Sequence, residues 1–299
     1  MMMSKKGSAL KFDERGSNIS MFPTTQYDFV DIHSGAKYAC TSIAVLAGSV
    51  LLTLGEGSAK AFATEESVRT LIEEGCKLQG NWIDINESRN SKGMVQNMAA
   101  VDEICNLEES PARAAPSCLW GQLCGKDYGM DIADAVRSLV VNKNEVTVYV
   151  LTVHKHSTMV AFLGKSGVIV FDSHRRERRF GLAPGANDES GSVLVRLKDT
   201  ESLISYFHRL YCATQFPESL FTLQQLTAEG ANDVAATHLI NRLALATSAT
   251  VQFSLERSLP DLTKKLSRGN NSSNSLSSIS SMFKKKTSFF TKRPALPTA

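Results

Sequence analysis

The sequence predicts an α+β domain in which a helical half is followed by an antiparallel sheet. Three observations predict it. An uncharged apolar stretch, Ala39 to Leu54, opens with a lone cysteine, Cys40. Helical periodicity then prevails to about residue 140, and short β-branched runs take over from Val146. Last, the run Val168-Ile169-Val170-Phe171 leads straight into Asp172-Ser173-His174.

The chain has 299 residues, 42% of them hydrophobic and 21% charged, which is enough apolar material for one well-filled domain. That domain is expected over 21–260. Residues 1–20 are polar with Gly and Ser and are expected to be disordered. The same holds for 261–299, which is Ser-rich from Ser272 to Ser281 and then basic at Lys284, Lys285, Lys286, Lys292 and Arg293. The formal net charge of +3 is therefore a property of the ends, and the region between them is mildly acidic. The basic tail with its phenylalanines could touch an anionic membrane, but an inert tail is the favoured reading. No nucleic-acid partner is expected. Six cysteines, at 40, 76, 105, 118, 124 and 212, form no regular framework and no CxxC pair. With no apolar signal region after Met1, free thiols in a reducing, cytoplasmic setting are expected.

Taken in order, the first helix runs from Cys40 to about Leu52. Its apolar segment is shorter than the roughly 18–20 residues a membrane span needs, and it carries Thr41, Ser42, Gly48, Ser49 and Thr53. It reads as a buried central helix. Glu65–Lys77 has Val68, Leu71, Ile72 and Cys76 in phase; Gly93–Leu107 includes Met98, Val101 and Ile104; Ile132–Val140 places Ala133, Val136 and Val140 on one face. Strands follow at Val146–Val153, Thr158–Leu163, Val168–Phe171 and Ser192–Leu197, with Lys165-Ser166-Gly167 as a hairpin turn. Glu201–Tyr211 returns to helix, and Phe221–Leu226 reads as an edge strand. A helical half carrying a cysteine before an antiparallel half carrying Asp-x-His is the papain-like plan.

The chemistry follows from these placements. A cysteine attacks an acyl carbon as its thiolate, and the N-terminus of a helix favours that anion. Cys40 is the candidate nucleophile. Residues i and i+2 of a strand share a face, so Asp172 can orient His174 as general base and acid. The Cys40 backbone N–H is one candidate oxyanion donor, and the side-chain amide of Gln26, the only glutamine shortly upstream, is the second. Each residue also has a bland reading. A cysteine on an apolar helix is more often a small core residue, and an Asp-x-His is often a surface pair; it is the order and spacing of all four that points to catalysis. His156, preceding a strand with Asp172 on the next, is the rival base. The spacings of His154, His156, Cys118 and Cys124 match no zinc knuckle, and neither metal nor cofactor is expected. Arg175-Arg176-Glu177-Arg178-Arg179 reads as a solvated loop, or else as a substrate rim.

Gln26, then Cys40 heading an apolar helix, then Val168 to Arg175, followed by Ser192-Val193-Leu194-Val195-Arg196-Leu197 and Leu203-Ile204-Ser205-Tyr206-Phe207, together resemble the herpesvirus tegument deubiquitinase domain and its tegument-like relatives outside viruses. The resemblance covers roughly 22–226. It implies a papain-like ubiquitin-specific cysteine protease with Cys40 as nucleophile, Asp172 and His174 as acid–base pair and Gln26 completing the oxyanion hole. The implied partner is ubiquitin or polyubiquitin, or a ubiquitin-like modifier, joined through its C-terminal Gly-Gly. The implied place is the cytoplasm, or a host's cytoplasm if the protein is delivered there. Two alternatives stand beside it: a catalytically inactive ubiquitin-binding scaffold of the same fold, and a papain-like peptidase or amidase for another acyl substrate.

Overall fold

An eight-stranded sheet forms the middle layer, with helices on both faces. The computed structural model describes residues 18–55, 62, 64–89, 98–125, 127–139, 141, 144–177, 190–212 and 219–248. Chain order is β1 (Asn18–Phe22), two 3-10 turns (Gln26–Phe29, Ala36–Tyr38), α1 (Cys40–Leu54), α2 (Glu65–Arg89), α3 (Val101–Cys105), β2 (Arg113–Gln122), β3 (Met130–Asp131) and α4 (Ile132–Ser138). Then come β4 (Val146–Val153), β5 (His156–Leu163), β6 (Val168–Glu177), β7 (Ser190–Leu197), α5 (Thr200–Phe207) and β8 (Leu220–Thr227). A last helix, α6, spans 233–248. The strand order is β1-β7-β6-β5-β4-β8-β2-β3, antiparallel throughout except for the short β2–β3 pair.

Alternation along the strands sorts their side chains into two cores. Val148, Val150, Met159, Ala161, Ile169, Phe171 and Leu226 face α1, α2 and α6. Tyr149, Leu151, Val153, Val160, Phe162, Val170 and Leu223 face α4 and α5. Burial on both faces explains why β4–β6 are continuous apolar runs without polar alternation. Helix α1 is the centre of the first core: every residue from Cys40 to Leu51 is buried. Its polar residues are satisfied inside, Ser42 donating to Gln79 Oε1 at 2.8 Å and Thr41 lying 2.9 Å from the Ser157 hydroxyl. The segment expected to be a buried central helix is one, and no helix among the described residues is long and apolar enough to cross a membrane.

Several expectations are corrected. Phe221–Leu226 is no edge strand, because β8 is flanked by β4 and β2. Strand β2 escapes a pattern search: it is largely exposed and bulged between Ala114 and Cys118, where Pro116 offers no N–H to the ladder. Gln224 Nε2 satisfies the bulge carbonyls of Ala115 and Ser117. The first strand begins at Asn18, inside the segment expected to be disordered, because β7 offers it a partner. Helix α2 runs on to Arg89; Gly93–Leu107, expected to include a helix, carries one at Val101–Cys105 among its described residues, and 90–97 lies outside the described residues, as does the expected tail, 261–299. Beyond Phe207, the expected helix over Glu201–Tyr211 continues as a π-helical turn, His208–Cys212. Cys40, Cys76, Cys105 and Cys118 are free thiols, but Cys124 is disulfide-bonded. Irregular cysteine spacing conceals such pairing, because connectivity is set by the fold and not by the sequence.

Candidate active site

The turn Ala36–Tyr38 delivers Cys40 to the first position of α1, and Ala39 at the N-cap has no side chain with which to cap the helix. No acidic residue stands in that first turn, so the positive end of the helix dipole is left for the thiolate. The thiol is 2% exposed and its S–H reaches the Lys155 carbonyl at 3.6 Å, in the β4–β5 turn. Burial pushes the thiol up, but a hydrogen bond with His174, the His174 charge and the Ser157 backbone N–H outweigh it and hold Cys40 below its ordinary value.

His174 sits within β6, not at the end of a strand: β6 continues to Glu177 through a register shift between Asp172 and Arg176. That irregularity lets Asp172, His174 and Arg176 converge. His174 Nδ1 lies 2.6 Å from Asp172 Oδ1, which also accepts the His174 backbone N–H at 2.9 Å. With Nδ1 committed, Nε2 is left for the thiol. Burial disfavours the imidazolium, yet the Asp172 charge and hydrogen bond, with Cys40 beside them, raise His174 to about 9. Asp172 is fully buried; Arg176 and His174 overcome that burial and hold it well below the usual carboxylate range. The arrangement favours a thiolate–imidazolium pair.

The expectation of a solvated loop or a substrate rim fails at Arg176. Its Nε donates to Asp172 Oδ2 at 2.8 Å and its side chain is only 11% exposed. Arg175 points outward, as strand alternation requires, and Arg178 and Arg179 lie outside the described residues. The i, i+2, i+4 spacing of Asp172, His174 and Arg176 is the sequence signal for this, and a strand ending at Phe171 hides it. Tyr206 and Tyr211 wall this cluster; burial pushes both hydroxyls up, Tyr211 to about 12, so they stay neutral.

Gln26 comes into the same cluster although it belongs to the 3-10 turn after β1. It is 1% exposed; Nε2 donates to the Lys37 carbonyl at 3.0 Å, and Oε1 accepts from Ser173 Oγ at 3.0 Å. It is thus tied both to the turn that delivers Cys40 and to the residue between Asp172 and His174. The rival base, His156, is also present, its ring centroid 4.4 Å from that of His174 in an edge-on contact. It makes no hydrogen bond to Asp172. Burial and the neighbouring His174 charge push it down to about 4, so it is neutral at pH 7. The structure therefore brings Cys40, His174, Asp172 and Gln26 together and leaves His156 as a neighbour of the pair.

No protein-family model matches the chain, and no curated protein matches it. Among solved structures, the ubiquitin-specific protease encoded by murine cytomegalovirus tegument protein M48, in complex with a ubiquitin-based suicide substrate, matches with a TM-score of 0.49 and 13% identity, over 70% of this chain and 85% of that one.

Chemically, the cluster can form and break an acyl bond. A thiolate can attack, an imidazolium can protonate a leaving amine, a buried carboxylate holds the ring, and an amide can donate to a developing oxyanion. Among the described residues no group of three or more His, Cys, Asp or Glu is arranged to hold a metal ion.

Proposed function

We propose that the protein is a thiol-dependent deubiquitinase. In this reading Cys40 Sγ attacks the carbonyl carbon of the C-terminal glycine of ubiquitin, or of a ubiquitin-like modifier. The oxyanion is held by the Cys40 backbone N–H and the Gln26 amide. His174 gives its proton to the departing lysine amine, leaving a thioester; it then takes a proton from water, which attacks the thioester and frees the carboxylate and the thiol. The observation that carries the reading is the buried chain Arg176–Asp172–His174 ending at Cys40, which has the polarity a thiol nucleophile needs.

Ubiquitin as the acyl donor is supported by the sequence resemblance around Phe171-Asp172-Ser173-His174 and by the burial of the thiol. A nucleophile 2% exposed can be reached only by a slender, extended tail, and Gly-Gly is the most slender tail a protein offers. The experiment is labelling of the full chain by ubiquitin carrying a C-terminal electrophile, wild type against Cys40→Ala. Labelling that needs Cys40 is the expected result. A folded protein whose Cys40 is alkylated by iodoacetamide but ignores the ubiquitin probe would be an enzyme for another acyl substrate. One that binds ubiquitin without labelling would be a scaffold.

A further inference from the structure

Ser173 is a buried hydroxyl that no step above uses. It is 2% exposed and stands between the two residues that form the acid–base pair. Its hydroxyl donates away from them, to Gln26 Oε1 at 3.0 Å.

A primary amide can be placed in two orientations that differ by exchange of its oxygen and nitrogen, and only its neighbours choose between them. Gln26 has a carbonyl, which only accepts, on one side and a hydroxyl, which can donate or accept, on the other. The Lys37 carbonyl can only accept, so the atom facing it must be Nε2, at 3.0 Å. The opposite atom is then Oε1, and Ser173 must donate to it. The Lys37 carbonyl thus forbids the flipped amide, which would set oxygen against oxygen there, and the Ser173 bond holds the amide so oriented. One Nε2 hydrogen is consumed by Lys37, and the second has no acceptor among the described residues.

We infer that Ser173 is a positioning residue: by donating to Oε1 it holds in place the Gln26 side-chain amide whose orientation the Lys37 carbonyl selects. The inference rests on the proposed function, in which Gln26 completes the oxyanion hole. One stretch of β6 then serves both halves of the chemistry: Asp172 orients the imidazole, and the next residue holds the amide.

The test separates oxyanion stabilisation from thiol activation. Alkylation of Cys40 by iodoacetamide needs the thiolate and forms no oxyanion. It is followed on the Cys40 peptide by mass spectrometry, because Cys118 is also an exposed free thiol. Turnover is followed with ubiquitin bearing a C-terminal fluorogenic amide. Ser173→Ala is expected to lower kcat about 10- to 100-fold with KM little changed, short of the roughly 10²–10³-fold lost with an oxyanion donor itself. Its alkylation rate and pH profile should match wild type. Gln26→Ala should lose more, and Ser173→Ala added to Gln26→Ala should cost nothing further; Ser173→Thr, which keeps the hydroxyl, should recover turnover. Additive losses, or alkylation that falls in step with kcat, would overturn the inference by placing Ser173 in the Asp172–His174 pair. If the wild type is alkylated at Cys40 but does not turn over ubiquitin, the proposed function fails, and the inference is decided by NMR of the Gln26 side-chain NH2 group. Displacement of that signal by Ser173→Ala sustains it, and an unmoved signal sinks it.

Discussion

His174 Nδ1 lies 2.6 Å from Asp172 Oδ1, and the other oxygen of that carboxylate takes a hydrogen bond from Arg176 Nε at 2.8 Å. A single buried carboxylate is thus shared between a cation that titrates and one that does not. Arg176 carries the permanent half of the neutralisation, so Asp172 stays ionised whether His174 is charged or neutral. In hydrolase chemistry that matters, because the imidazole must gain and lose its proton while its orienting partner remains fixed.

Replacement of Arg176 by Met should destabilise the fold by about 3–5 kcal/mol, the cost of leaving one partner of a buried pair alone. Urea unfolding at pH 7 reads this. The sign follows from linkage: the folded Asp172 is held below its ordinary 3.8, so its contribution is present above that value and is lost as pH falls through the folded value. Arg176→Met removes the first of the interactions that lower Asp172, leaving those with His174, and acid unfolding should move to higher pH. A variant within about 1 kcal/mol of wild type would show the ion pair to be energetically idle.

The pH profile of kcat/KM should be a bell. Cys40 is held below 9.0 by His174 and Ser157 against the effect of burial, and His174 is raised to about 9. The reactive form is thiolate with imidazolium. Its acid limb lies below the ordinary thiol value, where the pair gains a proton, and its alkaline limb near 9, where His174 loses one. The two limbs belong to the pair as a unit. An activity still rising above pH 10 would contradict the ion pair.

His174→Ala should reduce kcat/KM by about 10²–10⁴-fold, the ordinary worth of a positioned general acid–base. His156→Ala should cost less than about 10-fold, because His156 is pushed down to about 4, chiefly by burial, and is already neutral at working pH. Steady-state rates on the same substrate compare them, and a larger loss at His156 would reverse the assignment.

Gly75 sits where α2 crosses α1. A Cβ there would come within 2.8 Å of the Ile43 Cα and 3.0 Å of its N, backbone atoms that have no alternative rotamer. Gly75→Ala should cost about 1–3 kcal/mol as the helices are forced apart. It should also lower activity, since Ile43 lies one turn from Cys40. Gly80→Ala on the same helix meets nothing within 4 Å and should be neutral or stabilising by up to about 1 kcal/mol. Thermal unfolding of the two variants side by side checks the contrast.

Much of this architecture was legible in the chain because it depends on local pattern. The uncharged run after Cys40 is too short for a membrane span and reads as a buried helix, and the β-branched runs at β4 to β7 announce strands. Asp172 and His174 share a strand face by parity alone. What tertiary structure decided were the features set by partners distant in sequence. Strand β1 exists because β7 is beside it, and β2, bulged at Pro116, turns β8 from an edge into an interior strand. The choice of His174 over His156 depends on which ring reaches the Asp172 carboxylate, a matter of a few ångströms across two strands. The burial of Arg176 depends on β6 running past Phe171, and the bond between Ser173 and Gln26 spans nearly half the chain. Local sequence sets periodicity and propensity, which act over a turn or a strand. Packing of the whole core alone determines which buried polar groups meet, because each must find its partner where the fold leaves one.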